Sequence, residues 1–192
     1  MSNAQAIMEL RQATGVGVLD AKKALEESGG DVEVAKDALR KQGQAKAAKK
    51  SGRETAEGLV GSYIHQTGKL GVLVSVACET DFVARSDDFR ALVQDLAMHI
   101  AAADPEYVRL EDVPEEIIAK EREIAAAQAA GKPEAVVAKI VDGKLAKFYA
   151  ERVLLNQEFV KDDSMTVQQR MEQAIQKLGE NVVVQEFVRF SL

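Results

Sequence analysis

Residues 71–89 read GVLVSVACETDFVARSDDF, and this stretch decides the fold of the chain. Apolar residues at positions 72, 74, 76 and 78 alternate with a mixed set, which predicts a strand with one wholly apolar face. The last residues predict the start of a helix, because Ser86 is a good N-cap and two aspartates follow it. The stretch therefore predicts a strand that passes through a short corner into a helix.

The corner itself has an unusual composition, Glu79-Thr80-Asp81-Phe82-Val83. Connections between elements are usually rich in Gly, Pro, Asn and Ser, so an aromatic residue beside a carboxylate is unusual there. The residues alone leave two interpretations open. In the first, Phe82 is an exposed probe for a partner's surface. In the second, Phe82 belongs to the core and Asp81 forms a hydrogen bond with the backbone of the turn.

Residues 1–46 are predicted to form a three-helix docking module. Helix ends are indicated at Thr14-Gly15 and at residues 28–30, and Asp31 is placed to cap the third helix. About 45 residues in three helices have a thin core, which is typical of a binding module. Val18 and Leu19 follow a Gly-flanked loop, and they either pack or serve as docking residues.

Residues 47–57 are predicted to be a basic linker, and residues 58–192 an α+β core. The segment 42–53, QGQAKAAKKSGR, contains four Lys/Arg and no large apolar side chain. A hairpin is predicted next, with strands near 58–64 and 72–78, and a third strand near 182–190. Together these strands predict a three-stranded antiparallel sheet packed with helices.

The helices of the core are predicted from apolar spacing and from caps. The most regular helical spacing of apolar residues runs from Phe89 to Ile100 and predicts an amphipathic helix there. Further helices are predicted from Pro114 to residue 130 and along an apolar stripe at 137–159, with a break at Gly143. A capping-box pair, Thr166 with Gln169, opens the last helix.

Charge and cysteine usage exclude several classes of function. Residues 1–52 carry nine Lys/Arg against seven Asp/Glu, whereas residues 53–192 carry 16 against 24. An acidic body argues against direct nucleic-acid binding. The lone Cys78 lies in an alternating strand, which indicates a buried thiol and a reducing, cytoplasmic location. No apolar run is long enough for a membrane span, and the N-terminus does not have the pattern of a signal peptide.

The chemistry-bearing residues do not form a catalytic or metal-binding pattern. No Gly-rich phosphate loop, nucleophile elbow or paired Cys motif occurs in the sequence. His65 and His99 lack a suitable Ser or Cys partner, so each is expected to be structural. An enzyme using Glu79 or Asp81 as a base would need a partner residue that no motif supplies. We therefore expect a non-enzymatic protein that acts through its surfaces, without a metal or cofactor.

Several blocks resemble a known family. Residues 10–43 (LRQATGVGVLDAKKALEESGGDVEVAKDALRKQG) resemble the amino-terminal module of bacterial translation elongation factor Ts. Residues 71–89 and 96–114 resemble its core, and residues 147–167 and 178–190 resemble its carboxyl end. The likeness runs in order through nearly the whole chain.

The resemblance implies a guanine-nucleotide exchange factor that binds elongation factor Tu carrying GDP and accelerates GDP release. The amino-terminal module would be a ubiquitin-associated-like bundle that docks on the GTPase through Val18 and Leu19. The tetrapeptide Thr80-Asp81-Phe82-Val83 would displace the GTPase's magnesium ion, which favours an exposed Phe82. The core occurs once here and twice in longer members, so a homodimer through the core is expected. A ubiquitin-associated-like adaptor without exchange activity is the alternative.

Overall fold

The computed structural model describes residues 3–192, which form eight α-helices, five β-strands and two short 3₁₀ turns. The helices are α1 (Asn3–Thr14), α2 (Val18–Glu27), α3 (Val32–Lys50), α4 (Asp81–Ala84), α5 (Asp87–Ala103), α6 (Glu115–Gln128), α7 (Glu134–Arg152) and α8 (Val167–Leu178). The strands are β1 (Glu57–Ile64), β2 (Leu70–Cys78), β3 (Glu158–Phe159), β4 (Asp162–Thr166) and β5 (Val182–Ser191). The 3₁₀ turns span Leu110–Asp112 and Leu154–Asn156.

A three-stranded antiparallel sheet of order β1-β2-β5 organises the main core. Residues opposite each other across the ladder share a face, so the buried face of β2 continues into β1 and β5. Helices α5 and α8 cover this face, and their apolar stripes bury it. The predicted α+β class and the three-stranded sheet are both confirmed.

Helix α5 approaches the hairpin unusually closely at Gly61. A Cβ built on Gly61 would lie 2.2 Å from Cγ1 of Val93. The missing side chain on β1 therefore creates the space into which α5 packs. Phe89 and Leu96, on the same stripe of α5, are fully buried.

The first three helices enclose a second, smaller core. It is formed by the buried residues Ala6, Leu10, Val16, Ala21, Ala24, Leu25, Ala35 and Leu39. Asp31 caps α3 as predicted, because its carboxylate accepts hydrogen bonds from the backbone N–H groups of Glu33 (3.0 Å) and Val34 (3.1 Å).

Helix α3 is longer than the sequence indicated. The helix continues to Lys50, and Ala47 is buried against the main core, whereas a basic linker was expected from position 47. An Ala/Lys-rich segment has high helix propensity, and its small side chains fit closely against α8. The division into docking module, linker and core remains a prediction.

Two further expectations about the core were wrong. Gly143 does not break a helix, because it lies inside α7. A single glycine costs only about 1 kcal/mol there, and good helix formers surround it. The apolar stripe at 137–159 also extends beyond one helix, because α7 ends at Arg152. Phe159 belongs to the β3–β4 hairpin, which was not predicted.

His99 is a buried structural histidine, as expected. Its Nδ1 accepts a hydrogen bond from the Val160 backbone N–H (3.2 Å), so Nε2 carries the proton and donates to Gln157 Oε1 (2.9 Å). Its ring also stacks on Phe159. Burial lowers the pKa of His99 below its ordinary value, and the bond to Gln157 opposes this only in part.

The close approach at Gly61 predicts opposite effects for two Gly→Ala substitutions. Gly61→Ala should lower the free energy of unfolding by about 1–3 kcal/mol, because the new methyl group overlaps Val93. Gly143→Ala should raise it by about 0.5–1 kcal/mol, because a Cβ there meets nothing and helix propensity improves. Urea denaturation of both variants measures the difference, and equal effects would contradict the packing described.

The buried His99 predicts a stability loss in mild acid. Its folded pKa lies below the unfolded value of about 6.5, so its contribution is complete above that pH and is lost as the pH falls towards the folded pKa. The free energy of unfolding should therefore decrease as the pH is lowered from about 7.5 to about 5.5. His99→Gln should show a smaller fall, whatever its absolute stability. Phe159→Leu, which removes the stacked ring and no titrating group, should keep the fall.

Candidate functional site

The corner between β2 and α5 is a single helical turn, α4, held between two caps. Thr80 has an extended backbone, and its hydroxyl accepts the N–H of Val83 (3.3 Å). Ser86 then begins α5, because its hydroxyl accepts the N–H of Phe89 (3.3 Å) and donates to the carbonyl of Val83 (2.7 Å). The turn was missed because four residues are too few for a helical period.

The predicted tetrapeptide divides between the core and the surface. Val83 and the following Ala84 are buried in the main core. Phe82 points the other way and is 82% exposed, so it is not a core residue. Because its neighbours anchor the turn, Phe82 is presented to solvent from a fixed backbone.

Asp81 forms an ion pair on the same exposed surface. Its carboxylate lies 3.0 Å from Arg85, one helical turn later, and both side chains are largely exposed. Exposed pairs of this kind contribute at most about 1 kcal/mol. The pair is therefore easily exchanged for contacts with a partner.

The second predicted pair lies at the start of α2, in the amino-terminal bundle. Val16 enters the small core, whereas Val18 is 49% and Leu19 is 81% exposed. The loop thus buries one apolar residue, and the first turn of α2 exposes two. The structure gathers Thr80–Val83 on one helical turn and Val18–Leu19 on another helix, so the candidate site has two separate parts.

Sequence reasoning missed the residues that hold the corner from the other end of the chain. The carboxylate of Glu180 accepts hydrogen bonds from both the backbone and the hydroxyl of Thr80. The two residues are 100 positions apart. No local signal in the sequence could have paired them.

Cys78 ends β2 directly below this corner. It is fully buried, its thiol donates to the carbonyl of Thr80 (3.2 Å), and burial raises its pKa. A protonated, buried thiol is a poor nucleophile, so the expected structural role is confirmed.

Residues 3–192 contain neither a candidate metal site nor a membrane-spanning helix. No group of three or more His, Cys, Asp or Glu side chains there could hold a metal ion. Nor does any helix in that range combine the length and apolar character needed to cross a membrane.

Comparisons with known proteins agree on one family. The sequence model described as Elongation factor TS matches residues 46–192. The chain is 56% identical over 188 residues to the Elongation factor Ts of Geobacter sulfurreducens, which covers 97% of this chain and 87% of that protein. It is 54% identical to the Elongation factor Ts of Thermoanaerobacter sp. strain X514 over 192 residues, which cover 99% of this chain and 94% of that protein. The corresponding protein of Coprothermobacter proteolyticus is 53% identical over 192 residues, covering 99% and 98%.

The family match covers most of the chain, and the relatives are similar over nearly their whole length. On this basis the chain belongs to the elongation factor Ts family.

Proposed function

We propose that this chain is the guanine-nucleotide exchange factor of translation elongation, which binds elongation factor Tu carrying GDP and accelerates GDP release. Membership of the family supports this role. The observation that carries it is Phe82, which is 82% exposed on a capped helical turn. Such a role implies a cytoplasmic location and no chemical step, cofactor or direct contact with nucleic acid.

The proposed target of the corner is the magnesium and phosphate site of the GTPase. In a GTPase, Mg²⁺ bridges protein ligands and the β-phosphate, so moving those ligands weakens the hold on GDP. Phe82 would enter the partner as an apolar wedge, with Asp81 beside it. Val83 would act from inside this chain, as the anchor that fixes the direction of the wedge.

The coupling energy required exceeds what Phe82 alone can supply. Lowering GDP affinity a thousandfold needs about 4 kcal/mol of coupling between nucleotide and factor. Burying one aromatic side chain supplies about 1.5–3 kcal/mol. The remainder would come from other contacts of the corner that form only with the open state of the GTPase. Val18 and Leu19, which are exposed on α2, form a second surface that we assign to docking on the GTPase, and thus to affinity.

We further propose that the outer face of the sheet forms a homodimer. Ile64 and Phe190 flank Gly71 across the ladder, and Val188 lies opposite Leu73, all on the face away from α5. Ile64 and Phe190 are 67% and 68% exposed, so this face is an open apolar surface. A second copy of the chain would cover it through a two-fold interface and would supply the second core.

The assignment of Phe82 predicts a selective loss of activity. Release of a fluorescent GDP from elongation factor Tu is followed while the concentration of this chain is varied. Phe82→Ala should lower the maximal rate about 10- to 150-fold, because a wedge contact worth about 1.5–3 kcal/mol is lost. Its melting temperature should stay near that of the wild type, because the side chain is exposed.

Two further variants are measured in the same GDP-release assay, one to test docking and one as a control. Leu19→Ala should raise the half-saturating concentration and leave the maximal rate nearly unchanged, whereas Leu110→Ala, an exposed apolar truncation elsewhere, should change neither. Wild-type exchange by Phe82→Ala would overturn the assignment. Binding of the wild-type chain without any acceleration of release would support the adaptor alternative.

The dimer proposal predicts the mass of the chain in solution. Sedimentation equilibrium at micromolar concentration should give twice the 20.8 kDa monomer mass. The double variant Ile64→Lys, Phe190→Lys should shift this mass to the monomer, because two cations would be buried on each face. Val160→Lys serves as the control, because Val160 is exposed and lies outside the three-stranded sheet. A wild-type mass of 20.8 kDa would contradict the proposal.

A further inference from the structure

The segments just after β2 and just before β5 continue the sheet by an unusual means. The backbone ladder ends at the pair Cys78–Val182. Beyond it, Glu79 and Thr80 lie across from Glu180 and Asn181, where side chains replace backbone partners. This junction forms the base of the corner that presents Phe82.

Three donors of the corner converge on one carboxylate. Oε2 of Glu180 accepts the backbone N–H groups of Glu79 (3.1 Å) and Thr80 (3.0 Å). Oε1 accepts the hydroxyl of Thr80 (2.6 Å). An ionised carboxylate is suited to this position, because it offers several lone pairs and no donor.

The bond to the Thr80 hydroxyl also sets the cap of α4. Because the hydroxyl proton points to Glu180, a lone pair of the same oxygen is free to face the N–H of Val83 (3.3 Å). The hydroxyl therefore links Glu180 to the first turn of α4. Phe82 lies on that turn, so its direction depends on a residue that it need not touch.

The junction is reciprocal. The carboxylate of Glu79 accepts the backbone N–H of Asn181 (2.6 Å), and Nδ2 of Asn181 donates to the carbonyl of Arg53 (2.9 Å). Arg53 lies on the connection from α3 to β1 and also pairs with Glu79 (3.5 Å). Each segment thus holds the backbone of the other, and the connection from the amino-terminal bundle joins the same network.

We infer that Glu180 is a positioning residue for nucleotide exchange, which acts by fixing the helical turn that presents Phe82. This inference rests on the proposed exchange function and adds to it a residue from the other end of the chain. Glu180 contributes to the maximal rate of exchange through the geometry of the corner. Docking by the amino-terminal bundle does not depend on it.

The test compares Glu180→Ala and Glu180→Gln in the fluorescent GDP assay. Glu180→Ala should lower the maximal rate at least tenfold and change the half-saturating concentration less than twofold. A merely structural loss would reduce the folded fraction and so raise the half-saturating concentration. Glu180→Gln should fall between wild type and Glu180→Ala, because its amide oxygen still accepts from both backbone N–H groups.

A double-mutant cycle tests whether Glu180 acts through the aromatic ring. In the Phe82→Ala background, Glu180→Ala should lower the rate less than twofold further, because residues that act as one unit are not additive. Thr166→Ala, which removes the cap of α8 away from the corner, should retain the wild-type maximal rate. A wild-type maximal rate in Glu180→Ala, or additive effects in the cycle, would overturn the inference.

Hydrogen exchange of the Thr80 amide separates this inference from the proposed function. In the free protein, Glu180→Ala should speed that exchange at least tenfold, while amides inside β2 stay protected. Unchanged protection of Thr80 would overturn the inference even if the wild type is an active exchange factor. If the wild type does not accelerate GDP release, the proposed function fails, and the positioning role fails with it.

Discussion

The packing of α5 against the inner face of the sheet fixes the geometry of the corner that presents Phe82. Gly61 leaves room for Val93, and Phe89 is fully buried, so the start of α5 has one position relative to the hairpin. The chain then connects Cys78 to Ser86 through one capped helical turn. That turn buries one side and exposes the other. The exposure of Phe82 is therefore a consequence of how the core packs.

A fixed corner suits a protein that acts by binding energy alone. Ordering a flexible loop on binding would consume part of the energy available for changing the partner. Here the backbone around Phe82 is already ordered by Thr80, Ser86 and the carboxylate of Glu180. Contacts made only with the open state of the partner can then favour that state, while Val18 and Leu19 are free to supply affinity. The proposed division of roles accounts for the exposure of both Phe82 and the pair Val18–Leu19.

The sequence predicted the features that have a strong local signal. Alternation in β2, the stripe of α5 and the caps at Asp31, Ser86 and Thr166 each depend on neighbouring residues, and each is present. The extent of α3 was less certain, because an Ala/Lys segment is compatible with both a tether and a helix, and only contact with α8 decides between them. Two aspects of the site depend on tertiary structure: the outward direction of Phe82 and its link to Glu180. The residues alone left the first open, the resemblance to a family favoured exposure, and the structure shows it. The second joins residues 100 positions apart and has no local signature.

We propose that this chain and GDP compete through the conformation of elongation factor Tu. Coupling between two ligands is reciprocal, so the most direct measurement is the affinity of the chain for nucleotide-free and for GDP-bound elongation factor Tu. We expect GDP to weaken binding of the chain by the same factor by which the chain weakens binding of GDP, and we expect this factor to exceed tenfold, because the Phe82 contact alone is worth about 1.5–3 kcal/mol. Equal affinity for the two forms would contradict this competition, because a factor that does not distinguish them cannot weaken the binding of GDP.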